Sequence, residues 1–226
     1  MRRLAVAIAI AFLACIFAGL VYNYAEQATL RPLASVYVTS VPADLNAPNV
    51  ITGILLTFRA FDTLGEVAVL FMVAAGVGLL LSGGKTDHAS ADRTAASELV
   101  RNGADILLPL IFIFAAYVIM NGHLSAGGGF QGGAVVASGV MLLLLAKPAT
   151  QLGQDFLSFS ESLAGVLFVL VGVAGIAFAG GFLDNRVLPL GQFGAFFSAG
   201  AIPVISILLG IKVGAELSVI IDRFRS

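Results

Sequence analysis

Six apolar runs, at residues 4–22, 62–81, 106–120, 132–145, 163–179 and 193–221, leave this chain few ways to fold. Crossing a hydrocarbon layer ~30 Å thick takes about 20 apolar residues as a helix. Several runs fall slightly short of that, but flanking Ala, Ser and Gly extend them. The runs are continuous rather than alternating, which excludes strands as spans, because only a closed barrel satisfies strand backbones in lipid. The composition agrees: 59% of residues are hydrophobic and 11% charged, against roughly 45–50% and about 25% in soluble domains. The expected fold is an all-α integral membrane protein with six transmembrane helices.

The first 22 residues mimic a secretory signal, with Arg2 and Arg3 before an apolar stretch. The stretch exceeds the ~7–15 residues of such a signal and has no convincing small-x-small cleavage site, so it reads as an uncleaved first span. An N-terminus inside assigns Arg2, Arg3, Lys85, Arg93, Arg101, Lys147, Arg223 and Arg225 to the cytoplasm and Arg31, Arg59 and Arg186 to the outside. That bias predicts both termini in the cytoplasm of a prokaryote, in its cell (inner or plasma) membrane. With 12 basic against 13 acidic residues and a net charge of -1, nothing points to nucleic acid as a partner. The one cysteine, Cys15, lies in an apolar run and reads as a packing residue.

Residues 82–97, SGGKTDHASADRTAAS, form the only extended polar stretch between the second and third spans. They divide the chain into a two-helix module, residues 1–81, a cytoplasmic linker, residues 82–97, and a four-helix module, residues 98–226. Residues 98–105 are expected to open the helix that feeds span three.

The first module concentrates its chemistry in residues 46–66, NAPNVITGILLTFRAFDTLGE. Pro48 suits the first turn of a short helix, which lies either at the membrane surface or as a re-entrant half-span. Asp62 fits an N-cap for the second span, and Arg59, three residues earlier, is placed to neutralise it. Glu66 falls one turn deeper. An ionisable group inside a span is costly and faces a bundle interior or an aqueous cavity by default, so Glu66 is a candidate for carrying protons or cations, with Asp62 and Arg59 beside it.

The stretch GHLSAGGGFQGG, residues 122–133, opens the second module's first hairpin. Gly127, Gly128 and Gly129 permit a tight reversal, while Gly132 and Gly133 begin a small-residue face suited to close helix approach. Phosphate binding is disfavoured, because no strand precedes the glycines and no Lys-Ser or Lys-Thr follows them. His123 has two readings: a proton relay at the membrane boundary, or a hydrogen bond to a carbonyl exposed by the glycine turn. No second His, Cys or spaced carboxylate accompanies it, so no metal and no cofactor is expected. In the last span Lys212 and Glu216 stand one turn apart, either as a structural ion pair or as part of a charge path. Lys147 reads as an interfacial, snorkelling residue.

These residues resemble a known family. GHLSAGGGFQGG between two spans of a four-helix module is similar to the B subunit of Mrp-type multisubunit sodium/proton antiporters and to the equivalent subunit of membrane-bound hydrogenases. The family pattern is Gly-His, two variable residues, then Pro-Gly-Gly-Gly-Phe-x-Gly-Gly; Ala126 replaces the proline here. The first module resembles the carboxy-terminal piece of the large A subunit, through Ala47, Pro48, Asn49, Val50, Phe58, Arg59, Phe61, Asp62, Thr63, Leu64, Gly65 and Glu66. The resemblance implies a subunit of a large complex related to the membrane arm of respiratory complex I, with Glu66 matching an intramembrane glutamate of the A-subunit piece. The implied partners are other membrane subunits, the lipid bilayer, and Na+ and H+ as transported ions.

Three functional readings follow. The first is a subunit of a cation/proton antiporter in which Glu66, with Lys212, Glu216 and His123, lines an ion route. The second attaches the same module to a membrane-bound hydrogenase or related redox-driven pump, whose metal centres would lie in other chains because this one has no Cys or His cluster. The third is a structural scaffold whose charges only hold helices together. An independent enzyme is disfavoured, because no nucleophile and base pair is apparent in the sequence.

Overall fold

The computed structural model describes residues 2–25, 29–82 and 96–225; Lys85 and Arg93 of the expected linker lie outside them. Among the described residues regular structure is helical throughout, and six helices are long and apolar enough to cross a membrane. The chain divides into two compact units, Met1–Val36 and Tyr37–Ser226.

The first unit holds α1, Arg2–Tyr22. At 1.5 Å per residue it reaches roughly 30 Å, enough to span the hydrocarbon. Asn23 closes it, its Nδ2 donating to the Gly19 carbonyl at 2.7 Å. Cys15, read as a packing residue, is exposed on this helix. A second helix, α2, Pro32–Leu45, was not anticipated. It opens on proline, whose missing N–H costs nothing at a first helical position, and its last turns belong to the second unit.

The second unit begins by burying Val41 and Leu45. Asn46 then adopts a left-handed φ of 51° that ends α2. A short helix, α3, Val50–Gly53, follows and runs directly into a π turn, Ile54–Phe58. Pro48 sits just before this helix rather than in its first turn, because Asn49 takes the N-cap. The spans follow as α4, Ala60–Ser82; α5, Glu98–Met120; α6, Gly129–Ala146; α7, Gln154–Phe178; and α8, Ile202–Arg225. Ser97 caps α5 by accepting from the Val100 N–H at 3.4 Å. Residues 98–105 therefore lead into span three as expected.

The last span starts later than its apolar run. Ala199 and Gly200 take positive φ values of 64° and 59°, which no helix accommodates, so residues 193–200 are irregular despite their hydrophobicity. The connection from α7 to α8 is nonetheless folded around a short 3₁₀ turn, Asn185–Val187. Asp184 organises it, accepting from the N–H groups of Arg186 and Gly180, both at 3.0 Å, and pairing with the Arg186 guanidinium at 2.5 Å. Those donors, Arg186 foremost, hold the Asp184 carboxyl down to about 2.

Helix α8 is the hub of this unit, contacting α4, α5, α6 and α7. One apolar cluster joins Val41, Leu45, Leu56 and Val67 to Phe168, Leu183, Ile202, Ile205 and Leu209. The core thus runs without interruption from residues before the polar stretch at 82–97 to residues well after it.

Candidate functional site

Helix α4 reaches its ionisable residues through the π turn. Its widened loop is closed by the Arg59 N–H donating to the Ile54 carbonyl five residues back, at 2.8 Å. Side chains reach the next two carbonyls. Thr63 Oγ1 donates to the Leu55 carbonyl at 2.9 Å, and Asn185 Nδ2 donates to the Leu56 carbonyl at 2.6 Å. Asn49 performs a similar task nearby: its side chain accepts from the Thr52 N–H at 3.3 Å and donates toward the Gly122 and Ser125 carbonyls at 2.8 and 2.7 Å.

The result is a cleft of about 450 Å³ whose lining includes Thr52, Thr63 and Glu66 on one side and Gly127, Gly128, Gly129, Gln131 and Ser206 on the other. Sequence reasoning singled out Glu66 and the glycines separately; the fold brings them together. Gly128 (φ 144°, ψ 175°) takes backbone angles that side chains disfavour and makes the reversal, whereas Gly129 already belongs to α6 and packs on the Ser206 carbonyl of α8. Gly132 and Gly133 do not line the cleft but pack on opposite neighbours. A Cβ on Gly133 would meet α8 at Val213 Cβ, 2.8 Å away, and one on Gly132 would press on the Ala115 carbonyl of α5 at 3.0 Å.

Asp62 and Arg59 pair with each other at the surface, and Asp62 lies within the first turn of α4 rather than at its N-cap. That pairing leaves Glu66 without an ion-pair or hydrogen-bond partner among the described residues. It lies six residues into α4, about 9 Å along the helix, an exposed carboxylate beyond which α4 carries no further ionisable residue.

His123 is buried and stands apart from the cleft. Its Nε2 lies 3.0 Å from the Phe196 carbonyl. A carbonyl only accepts, so Nε2 carries the proton. The acceptor thus belongs to the α7–α8 connection, not to the glycine turn. Burial pushes the imidazole below its ordinary value against the opposing pull of that hydrogen bond.

Lys212 and Glu216 do pair, Nζ to Oε2 at 3.2 Å, and a third member joins them: Glu161 of α7, whose Oε1 lies 3.3 Å from the same Nζ. Glu216 is fully buried and Lys212 nearly so. Sequence reasoning missed Glu161. Its signal was a lone carboxylate at the edge of an apolar run, with no cation one turn away on its own helix. Lys147, read as merely interfacial, pairs with Asp105 at 2.6 Å.

Comparison with known proteins fits this architecture. Residues 99–219 match the family described as a domain related to the MnhB subunit of Na+/H+ antiporter, and residues 1–95 match the MbhE family of MBH. An uncharacterized protein of Methanocaldococcus jannaschii, MJ1307, is 29% identical over 231 residues, covering 89% of this chain and 84% of that one. A chain of the membrane-bound sulfane sulfur reductase, an archaeal respiratory membrane complex, is 32% identical with a TM-score of 0.82; the match covers 99% of this chain and 97% of that chain. A chain of the Mrp complex from Dietzia sp. DQ12-45-1b shares the fold at 24% identity and a TM-score of 0.73, over 99% of this chain and 26% of that one.

Proposed function

The chain belongs to the family of domains related to the MnhB subunit of Na+/H+ antiporters, and from that premise we propose that it carries part of the cation and proton route of its complex, with Glu66 as the proton-exchanging group. It is a multi-pass protein of a prokaryotic cell membrane and a subunit of an Mrp-type antiporter or a related membrane-bound respiratory complex. Other membrane subunits are its partners. The finer assignment rests on one observation above all: Glu66 has no partner among the described residues and lies in a largely apolar span, at the rim of a cleft lined by the π turn and the glycine loop. An unpaired carboxylate at that depth is held at a cost, and transport of an ion past it accounts for the cost.

Two further parts of the reading follow. Residues 1–81 and 98–226 act as two modules joined through residues 82–97. Arg101, Lys147, Arg223 and Arg225 lie toward one end of α5, α6 and α8, with Arg59 and Arg186 toward the other; on the positive-inside bias of the sequence we propose that the first end, and both termini, are cytoplasmic. Na+ is the proposed cation.

The test is cation-dependent proton flux in inverted vesicles carrying the whole complex, comparing wild type with Glu66→Gln at matched assembly. Gln keeps size and polarity but exchanges no proton. Flux is expected to fall by about tenfold or more; unchanged flux would move the route to other subunits and leave this chain a scaffold. A second reading, a redox-driven pump, is favoured by the end-to-end match with the sulfane sulfur reductase chain. Proton movement driven by an imposed cation gradient, with no electron donor present, supports the antiporter; movement only during electron transfer supports the pump.

A further inference from the structure

Glu161, Lys212 and Glu216 place one ammonium between two carboxylates inside the bundle, and nothing in the Glu66 route as described requires them. The ammonium is 3.3 Å from Glu161 and 3.2 Å from Glu216. Of the two contacts only the one to Glu161 has hydrogen-bond direction, and both oxygens of the fully buried Glu216 lack a hydrogen-bond donor among the described residues. With all three groups ionised the cluster carries one uncompensated negative charge in low dielectric, the arrangement that buried ion pairs tolerate least.

Among the described residues no other element is seen to supply the missing positive charge. Helix α6 carries no ionisable residue, and α4 carries only Asp62 and Glu66. What α4 presents to the cluster is the Phe71 ring, 5.8 Å from Lys212 Nζ. On α8 itself, Arg223 is two turns away and donates to the Ala74 carbonyl at 3.1 Å, while Asp222 is engaged by Gln154 and Arg225. On α5 the ionisable side chains are Glu98, Arg101, Asp105 and Tyr117, and Asp105 is held by Lys147.

We propose that Glu161, Lys212 and Glu216 form a proton-binding site that holds one exchangeable proton and continues the route from the Glu66 cleft along α8. This deepens the transport reading and rests on it. Binding forms one O–H bond on a carboxylate oxygen and takes the cluster from one negative charge to neutrality; release reverses both changes and involves no electrons. The ligand is a proton rather than a metal ion, because a cation seated here would meet the like charge of Lys212 at contact distance and find the carboxylates of two residues as its only anionic ligands.

The triad has an opening of its own and lies close to the Glu66 cleft along α8. Glu161 and Lys212 line a second cavity of about 400 Å³, bounded by Phe71, Val166 and Val169. Ser206 and Leu209 of α8 line the Glu66 cleft. Lys212 follows Leu209 by three residues and Glu216 by seven, one and two turns along the same helix face. The two sites therefore occupy consecutive turns of α8.

Infrared difference spectra of the purified, assembled complex, recorded while pH is stepped, read the protonated-carboxyl band directly. Wild type is expected to show a band that is lost in Glu216→Gln and equally in Glu161→Gln, because each leaves a neutral pair with Lys212. Glu161→Gln, at the rim, spares the buried pair and so assembles where Glu216→Gln fails. Lys212→Met is expected to keep the band about one pH unit further toward alkaline conditions. Spectra of both Gln variants that superimpose on wild type would overturn the proposal. Glu66→Gln separates the two readings. A triad band that persists while its flux is unchanged sinks the Glu66 route alone; collapsed flux with no triad band in wild type sinks the proton site alone.

Discussion

His123 Nε2 donates to the Phe196 carbonyl in a buried pocket, and burial holds the ring neutral below its ordinary value of 6.5. The folded state therefore binds fewer protons than the unfolded chain over the range just below that value, and stability falls as pH drops through it. The thermal midpoint of the solubilised complex is expected to decline more between pH 7.5 and pH 5.5 in wild type than in His123→Gln; parallel declines would show that other groups carry the acid sensitivity. At this scale the sequence was readable for two pairs close together in the chain. Lys212 and Glu216, four apart, could be paired on spacing alone. Glu161 could not, because it is 51 positions from Lys212, and only the packing of α7 on α8 brings them together. Arg59 and Asp62 were equally legible as an i, i+3 pair.

Among the elements, α6 owes its position to glycines at particular places. Gly133 admits α8 so closely that a methyl group would meet Val213 Cβ at 2.8 Å and the Gly210 carbonyl at 2.9 Å. Backbone atoms do not give way cheaply, so Gly133→Ala should cost about 1–3 kcal/mol, read as a lower unfolding midpoint. Gly76→Ala, on α4 with nothing within 4 Å of its added methyl, should stabilise by about 0.5–1 kcal/mol; equal effects from the two would show that the close approach is not energetically felt. The spans were legible because hydrophobic run length maps directly to helix length in lipid. The π turn and α2 were not. A π turn differs from an α-helix by one inserted residue and leaves no compositional trace, and α2 is too short and too mixed, with Pro42 inside it, to register as a span.

For the molecule as a whole, two asparagines tie residues 46–66 to the four-helix region. Asn185 Nδ2 reaches both the Leu56 carbonyl and Thr57 Oγ1, at 2.6 and 2.5 Å, and Asn49 reaches the loop that carries His123. Asn185→Ala would leave a buried carbonyl unsatisfied, at about 1–3 kcal/mol, and would loosen the π turn that sets Glu66. Both the unfolding midpoint and cation-dependent flux should fall; a lower midpoint with full flux would mean that Glu66 is positioned without this tie. None of these contacts was visible in the sequence, although Asn49 lies within a stretch that was singled out. The contact of Gly129 and Gly133 with α8 has a mechanical consequence. No side chain of α6 cushions the seam at those two positions, so α8 cannot slide or roll along it without its own Leu209 and Val213 riding over the α6 backbone. On the proposed route, the helix that contributes to both carboxylate sites would serve as a stator: charge would pass along it by movement of side chains and protons while the wall itself stayed put.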